Sequence, residues 1–95
     1  MPAYLIVRIE VTDPEQYREY MKLSPAAIAA AGGKFLARGG EKVTLEGPEE
    51  TRRVVIVEFP DLAAAKAFYD SEAYTAARAA RAGAAEGQFV VVAGV

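Results

Sequence analysis

From Ala3 to Val11 the chain alternates strictly. Ala3, Leu5, Val7, Ile9 and Val11 fall on one side of an extended segment, and Tyr4, Ile6, Arg8 and Glu10 on the other. This predicts a strand with one apolar face and a second face that is apolar only in its first half. The period then changes. Thr12-Asp13-Pro14-Glu15-Gln16 offers Asp13 as N-cap, a proline where the first helical turn needs no donor, and a Gln at the capping-box position. Tyr17, Tyr20, Met21, Ser24, Ile28 and Ala31 follow on one helical stripe. Pro25 interrupts that stripe and predicts a kink or a break into two helices. Gly32-Gly33 predicts the helix end.

A short strand is expected at Lys34–Arg38, with Phe35 and Ala37 on one face and Leu36 and Arg38 on the other. Gly39-Gly40 reads as a bend or bulge, Val43–Leu45 as a continuation of the edge, and Gly47-Pro48 as a turn. Thr51–Phe59 gives the clearest strand: Arg53, Val55, Val57 and Phe59 alternate with Arg52, Val54, Ile56 and Glu58. Pro60-Asp61 ends it and caps a helix from about Leu62 to Tyr69. Asp70-Ser71 breaks that helix and caps another over Glu72–Ala82, which Gly83 ends. Gln88–Ala93 reads as the last strand.

The order is β-α-β-β-α-β with one extra helical piece, within a single domain spanning residues 1–95. This predicts an α+β fold of the ferredoxin-like, split βαβ type, an antiparallel sheet with helices on one face. An antiparallel sheet with a solvated face should carry polar residues there. Instead Tyr4 and Ile6 oppose Leu5 and Val7, Val54 and Ile56 oppose Val55 and Val57, and Val90 and Val92 oppose Phe89 and Val91. The chain has nothing left to cover the second face, so a homodimer packed sheet against sheet is expected.

Composition narrows the chemistry. There is no His and no Cys. That excludes a Ser-His-Asp triad, a thiol nucleophile and the usual zinc, iron or haem ligands, so no cofactor is expected. A net charge of −2, from 11 basic and 13 acidic residues, supplies no electrostatic reason for nucleic acid or an anionic membrane as partner. No apolar run is long enough to span a bilayer and no signal region is evident, so a cytoplasmic location is expected.

What remains for recognition is Tyr, Arg and Glu. Tyr74, Arg78 and Arg81 fall on one helix face at i, i+4 and i+7, beside Tyr69. Two guanidiniums and phenols suit a small carboxylate, unless they are a solvated face and core tyrosines. Arg38 and Glu58 lie on otherwise apolar strand faces, either as a structural ion pair, across a dimer for example, or as ligand contacts. Glu58 is the one candidate general base. Tyr17 and Tyr20 have core spacing but also suit a pocket wall between helix and sheet. Three functions fit: a binder of a small anionic or aromatic ligand, a cofactor-free enzyme (isomerase or oxygenase type) acting on a small organic acid, or a structural protein with no pocket.

The segments MPAYLIVRIEVTDPEQYREY, GGKFLARGG, RRVVIVEFPD, FYDSEAYTAARAAR and VVVAGV, in this order, resemble the bacterial family known as domain of unknown function 1330. The resemblance runs from Met1 to Val95. It implies membership of the dimeric α/β-barrel superfamily, with a ferredoxin-like protomer whose sheet pairs with that of a second copy. Tyr17, Gly33, Phe35, Arg38, Gly39, Gly40, Glu58, Phe59, Tyr69, Ser71, Tyr74 and Arg78 fit the family's recurrent pattern. The resemblance implies no particular reaction, and the His and haem ligands used by enzymes of the superfamily have no counterpart in this chain.

Overall fold

In the computed structural model, which describes residues Met1–Val95, the elements run β1 (Ala3–Val11), α1 (Pro14–Ala30), β2 (Lys34–Arg38), β3 (Arg53–Phe59), α2 (Leu62–Asp70), α3 (Glu72–Ala80) and β4 (Ala85–Ala93). The strands form one antiparallel sheet in the order β2-β3-β1-β4. That is the ferredoxin-like arrangement the pattern predicts. No helix is long and apolar enough to cross a membrane.

All three helices pack on one face. Leu5, Val7 and Ile9 of β1 and Val57 and Phe59 of β3 are buried beneath Tyr17, Tyr20 and Ile28 of α1, Phe68 of α2 and Tyr74 of α3. Each helix starts on a side-chain cap. Asp13 Oδ1 accepts from Gln16 N at 3.1 Å and Asp61 Oδ1 from Ala64 N at 2.7 Å. Ser71 serves two helices: its hydroxyl donates to Phe68 O at 2.7 Å, closing α2, and accepts from Tyr74 N at 3.2 Å, opening α3.

Five expectations are corrected. Pro25 neither breaks nor divides α1, because Tyr20, Ser24, Ala27 and Ile28 are buried on both sides of it and hold both halves on one core. Gln16 makes no capping box. Its Nε2 donates to Ala80 O at 3.2 Å and Ala82 O at 2.8 Å, tying the start of α1 to the orphan carbonyls at the end of α3. The backbone N of Asp13, the cap's other donor, instead bonds Ala84 O at 3.0 Å. Val43–Leu45 is loop, since β2 pairing ends where Gly39 N donates to Val54 O at 2.9 Å. The long β2–β3 loop is fastened by Glu50, which accepts from Arg52 Nε at 2.9 Å and pairs with Arg8 Nε at 3.3 Å. Hydrogen bonds from Arg52 hold the Glu50 carboxyl down at about 2.

β4 starts three residues before the expected Gln88, at Ala85, and pairs through Gly87 opposite Ile9. Gly87 is a fit to a close strand here, as a Cβ would stand 2.9 Å from Arg8 O and 3.0 Å from Ile9 Cγ1. The bulge lies in β2, ahead of the glycines that suggest it. Phe35 pairs with Val57 but Ala37 with Ile56, leaving Leu36 as the extra residue. One extra residue reverses the alternation beyond it. Arg38 therefore faces the helices with Phe35 and Val55, while Ala37 faces away.

The other sheet face carries no helix. Tyr4, Ile6, Val54, Ile56, Val90 and Val92 lie on it, with Val90 and Val92 42% and 48% exposed. Arg8, Glu10 and Glu86 make its far end charged.

Gly33 tests the packing at the α1–β2 corner. A Cβ there would lie 2.7 Å from Phe59 Cε1 and 2.9 Å from Ile28 Cγ2, both core atoms. Gly33→Ala is expected to lower stability by about 1–3 kcal/mol through overpacking, measured by urea denaturation. An unchanged midpoint would show that the corner is loose.

Candidate functional site

A cleft runs between α1 and the helical face of the sheet. Its floor is Leu5, Val7, Val55 and Val57, and its roof is Tyr17, Tyr20 and Ile28. The enclosed volume is about 30 Å³, room for one water. Helical spacing places the tyrosines: Tyr17 and Tyr20 belong to the buried stripe of α1, and Tyr74 sits three residues beyond the Ser71 cap. The Tyr20 and Tyr74 hydroxyls are 2.7 Å apart and hydrogen-bonded. Their rings meet edge to face at 6.1 Å, and Tyr17 stacks at 5.1 Å from Tyr20.

The mouth is lined by arginines. Arg38 and Arg53 line the cleft itself, and Arg81 lies with its Cζ 5.3 Å from the Tyr20 ring and 4.8 Å from the Phe89 ring. Arg38 stacks 4.6 Å over Phe35. Burial raises the Tyr17 hydroxyl above its usual value of 10, against the opposing pull of Arg53, Arg81 and Arg38. All three guanidinium charges are therefore felt at one phenol. None of them has a carboxylate partner: the ion pairs of the molecule are Arg8–Glu50, Arg52–Glu50, Lys22–Glu19 and Lys34–Glu58. The Nε atoms of Arg53, Arg78 and Arg81 are buried without any hydrogen-bond partner.

Of the residues singled out from the sequence, Tyr17, Arg38 and Tyr74 line this cleft, and Arg81 lies beside it, over the Tyr20 and Phe89 rings. Helix α3 ends at Ala80, so Arg81 leaves the Tyr74–Arg78 face as the C-cap and turns toward β4. Arg78 and Tyr69 form a separate pair beyond Tyr74, with the Arg78 Cζ 4.3 Å over the Tyr69 ring. Tyr69 borders an open groove of about 450 Å³ between α2 and β4. Glu58 is on the opposite sheet face, paired with Lys34 Nζ at 3.1 Å, so it neither meets Arg38 nor reaches the cleft. Arg53 lines the cleft and is not among the residues singled out from the sequence. Its alternation with Val55 and Val57 was the available signal.

The buried phenol pair has a pH signature. Burial and the neighbouring Tyr74 push the Tyr20 hydroxyl far above 10 in the folded protein. Between pH 10 and that raised value the unfolded chain releases this proton and the folded chain keeps it, so stability falls as pH rises. Denaturation midpoints are expected to drop from about pH 10 upward, and less steeply in Tyr20→Phe. Tyr74→Phe is expected to cost about 1–3 kcal/mol at pH 7, because it strands the Tyr20 hydroxyl. The double variant should cost less than the sum.

No curated protein matches this chain in sequence. Solved structures match its fold. A protein of unknown function from Rhodopseudomonas palustris aligns with a TM-score of 0.77 at 23% identity, over 99% of this chain and 82% of that one. A cofactor-independent oxygenase from Streptomyces nogalater aligns at 0.69 and 14% identity, over 99% and 93%. A dimeric ferredoxin-like protein of unknown function from Thermobifida fusca aligns at 0.65 and 19% identity, over 98% and 91%. The model of the family described as a domain of unknown function, DUF1330, matches residues 2–95, and the chain belongs to that family.

Proposed function

We propose that this protein binds a small organic anion at the arginine-lined mouth of the cleft, and that it works as a homodimer. The observation that carries the first part is the set of guanidiniums without counter-ions. Arg38, Arg53 and Arg81 act on Tyr17, no carboxylate lines the cleft, and two of the three have a buried, unpartnered Nε. A guanidinium removed from water gains most from an oxyanion, which it holds with two parallel hydrogen bonds. The rings beside the arginines, Phe35, Tyr20 and Phe89, favour a flat, apolar body lying at the mouth. Binding is favoured over catalysis because Glu58, the candidate base, lies across the sheet in an ion pair.

The dimer reading rests on the uncovered face. Apolar residues of β1, β3 and β4 form a continuous patch there, and likeness to proteins described as dimeric supports a second copy as the cover. Sedimentation is expected to give a dimer at micromolar concentration. Ile56→Lys should shift it to monomer, since an unpaired ammonium would be buried at the contact. A wild-type protein that sediments as a monomer refutes this part.

For the ligand, a thermal-shift screen of small aromatic and aliphatic carboxylates is expected to give stabilising hits, with affinities then measured by calorimetry. Arg81→Ala should weaken a hit by about 1.5–3 kcal/mol. Arg81→Lys should recover little, because an ammonium cannot reproduce the planar fork. If Arg81→Ala lowers the melting temperature and leaves the affinity unchanged, the arginine is structural and the reading fails.

A further inference from the structure

The three arginines come from different places. Arg38 closes β2, Arg53 opens β3, and Arg81 follows α3 and lies over Phe89 of β4. In the strand order, β1 separates β3 from β4. Two strand spacings separate β3 from β4 by about 10 Å across the sheet, and Phe89, level with Val55, stands two residues further along than Arg53. The positive charge is therefore divided. Arg38 and Arg53 stand at the β2–β3 side of the sheet, and Arg81 stands over its β4 side.

The position of Arg53 is built in. Gly39 has φ +68°, and a Cβ on it would overlap the Arg53 guanidinium. The missing side chain leaves the space in which that head group sits, at the mouth of the cleft. Arg81 is likewise confined, between the Tyr20 and Phe89 rings. Neither side is neutralised from within the chain. No acidic residue lines the cleft, and its phenols Tyr17 and Tyr20, both raised above their usual value of 10 by burial, are neutral at pH 7. The enclosed volume of about 30 Å³ is too small to admit a bulky charged group. The acidic groups of a ligand must stay at the mouth, among the guanidiniums.

From this arrangement, and resting on the anion-binding reading above, we propose that the ligand is a dianion: two carboxylates on a flat, apolar frame. One carboxylate meets Arg38 and Arg53, the other meets Arg81, and the Tyr17 hydroxyl donates a hydrogen bond between them. A monoanion would leave one side of the cleft positive and unpaired, which is costly at a partly desolvated site.

Benzoate and terephthalate make a matched pair of probes, sharing one ring and differing by one carboxylate, with every carboxyl ionised at pH 7. Calorimetry at low ionic strength is expected to show terephthalate binding at least about tenfold more tightly, the scale of one added charge-assisted contact. Arg53→Met and Arg81→Met should each remove that preference and bring terephthalate to the affinity of benzoate. Gly39→Ala should reduce it by displacing the Arg53 head. Salt dependence needs no variant: added NaCl should weaken terephthalate more than benzoate. Equal affinity for the two probes, with both sensitive to Arg81→Met, overturns the dianion proposal and leaves anion binding standing. Binding of neither, or binding indifferent to Arg53 and Arg81, overturns both.

Discussion

Two phenols buried in the same core must satisfy their hydroxyls, and Tyr20 and Tyr74 do so with each other, at 2.7 Å. A buried hydroxyl without a partner costs more than the bond itself contributes, so this contact fixes α1 against α3. Much else follows from it. The Tyr20 ring meets Tyr17 on one side and the Arg81 guanidinium on another, and Tyr74 stacks on Phe68 and Tyr69. Gln16, one turn before Tyr20, ties the start of α1 to the carbonyls that end α3. The helices are held together along their length, and the cleft beneath α1 inherits its shape from that lock.

Two of the arginines at the cleft, Arg38 and Arg81, have aromatic rings as neighbours where a surface arginine would have a carboxylate. A guanidinium over a ring is held by the ring quadrupole and loses less hydration than an ammonium would. Such a contact fixes the head group without neutralising it. The acidic residues that do form ion pairs form them away from the cleft. Glu50 is shared by Arg8 and Arg52, Glu58 belongs to Lys34, and Glu19 to Lys22. The chain is acidic overall, yet the guanidiniums at its cleft lack carboxylate partners. Net charge is therefore a poor guide to the local field, which is set by which side chains share a face.

Elements with strong periodicity were legible in the sequence. The alternation of β1 and β3, the tyrosine stripe of α1 and the caps at Asp13, Asp61 and Ser71 led directly to the ferredoxin-like order. The site was legible only in part. Tyr17, Arg38, Tyr74 and Arg81 were singled out, but the face assigned to Arg38 was reversed by the bulge at Leu36. A bulge is a pairing event between two strands, and nothing within the five residues of β2 marks it. Arg81 was placed on a helix that ends one residue before it. Ala79, Ala80 and Ala82 around it are all good helix formers, and their run hides the point where α3 stops. Arg53 was not singled out. It stands at a strand start beside Arg52, and the alternation sends Arg52 to Glu50 and Arg53 to the cleft.

The alternation also divides the labour of the sheet. On β3, Val55 and Val57 line the cleft while Val54 and Ile56 lie on the uncovered face. One seven-residue strand thus contributes to both surfaces. The charged residues follow the same rule, with Arg53 at the cleft and Glu58 on the open side, paired with Lys34. A substitution on the open side reaches the cleft only through the backbone, and the backbone of β3 is held by neighbours on both sides, β1 and β2. In this fold the uncovered face and the cleft are built from the same strands in alternation, which is how a chain of 95 residues can present both.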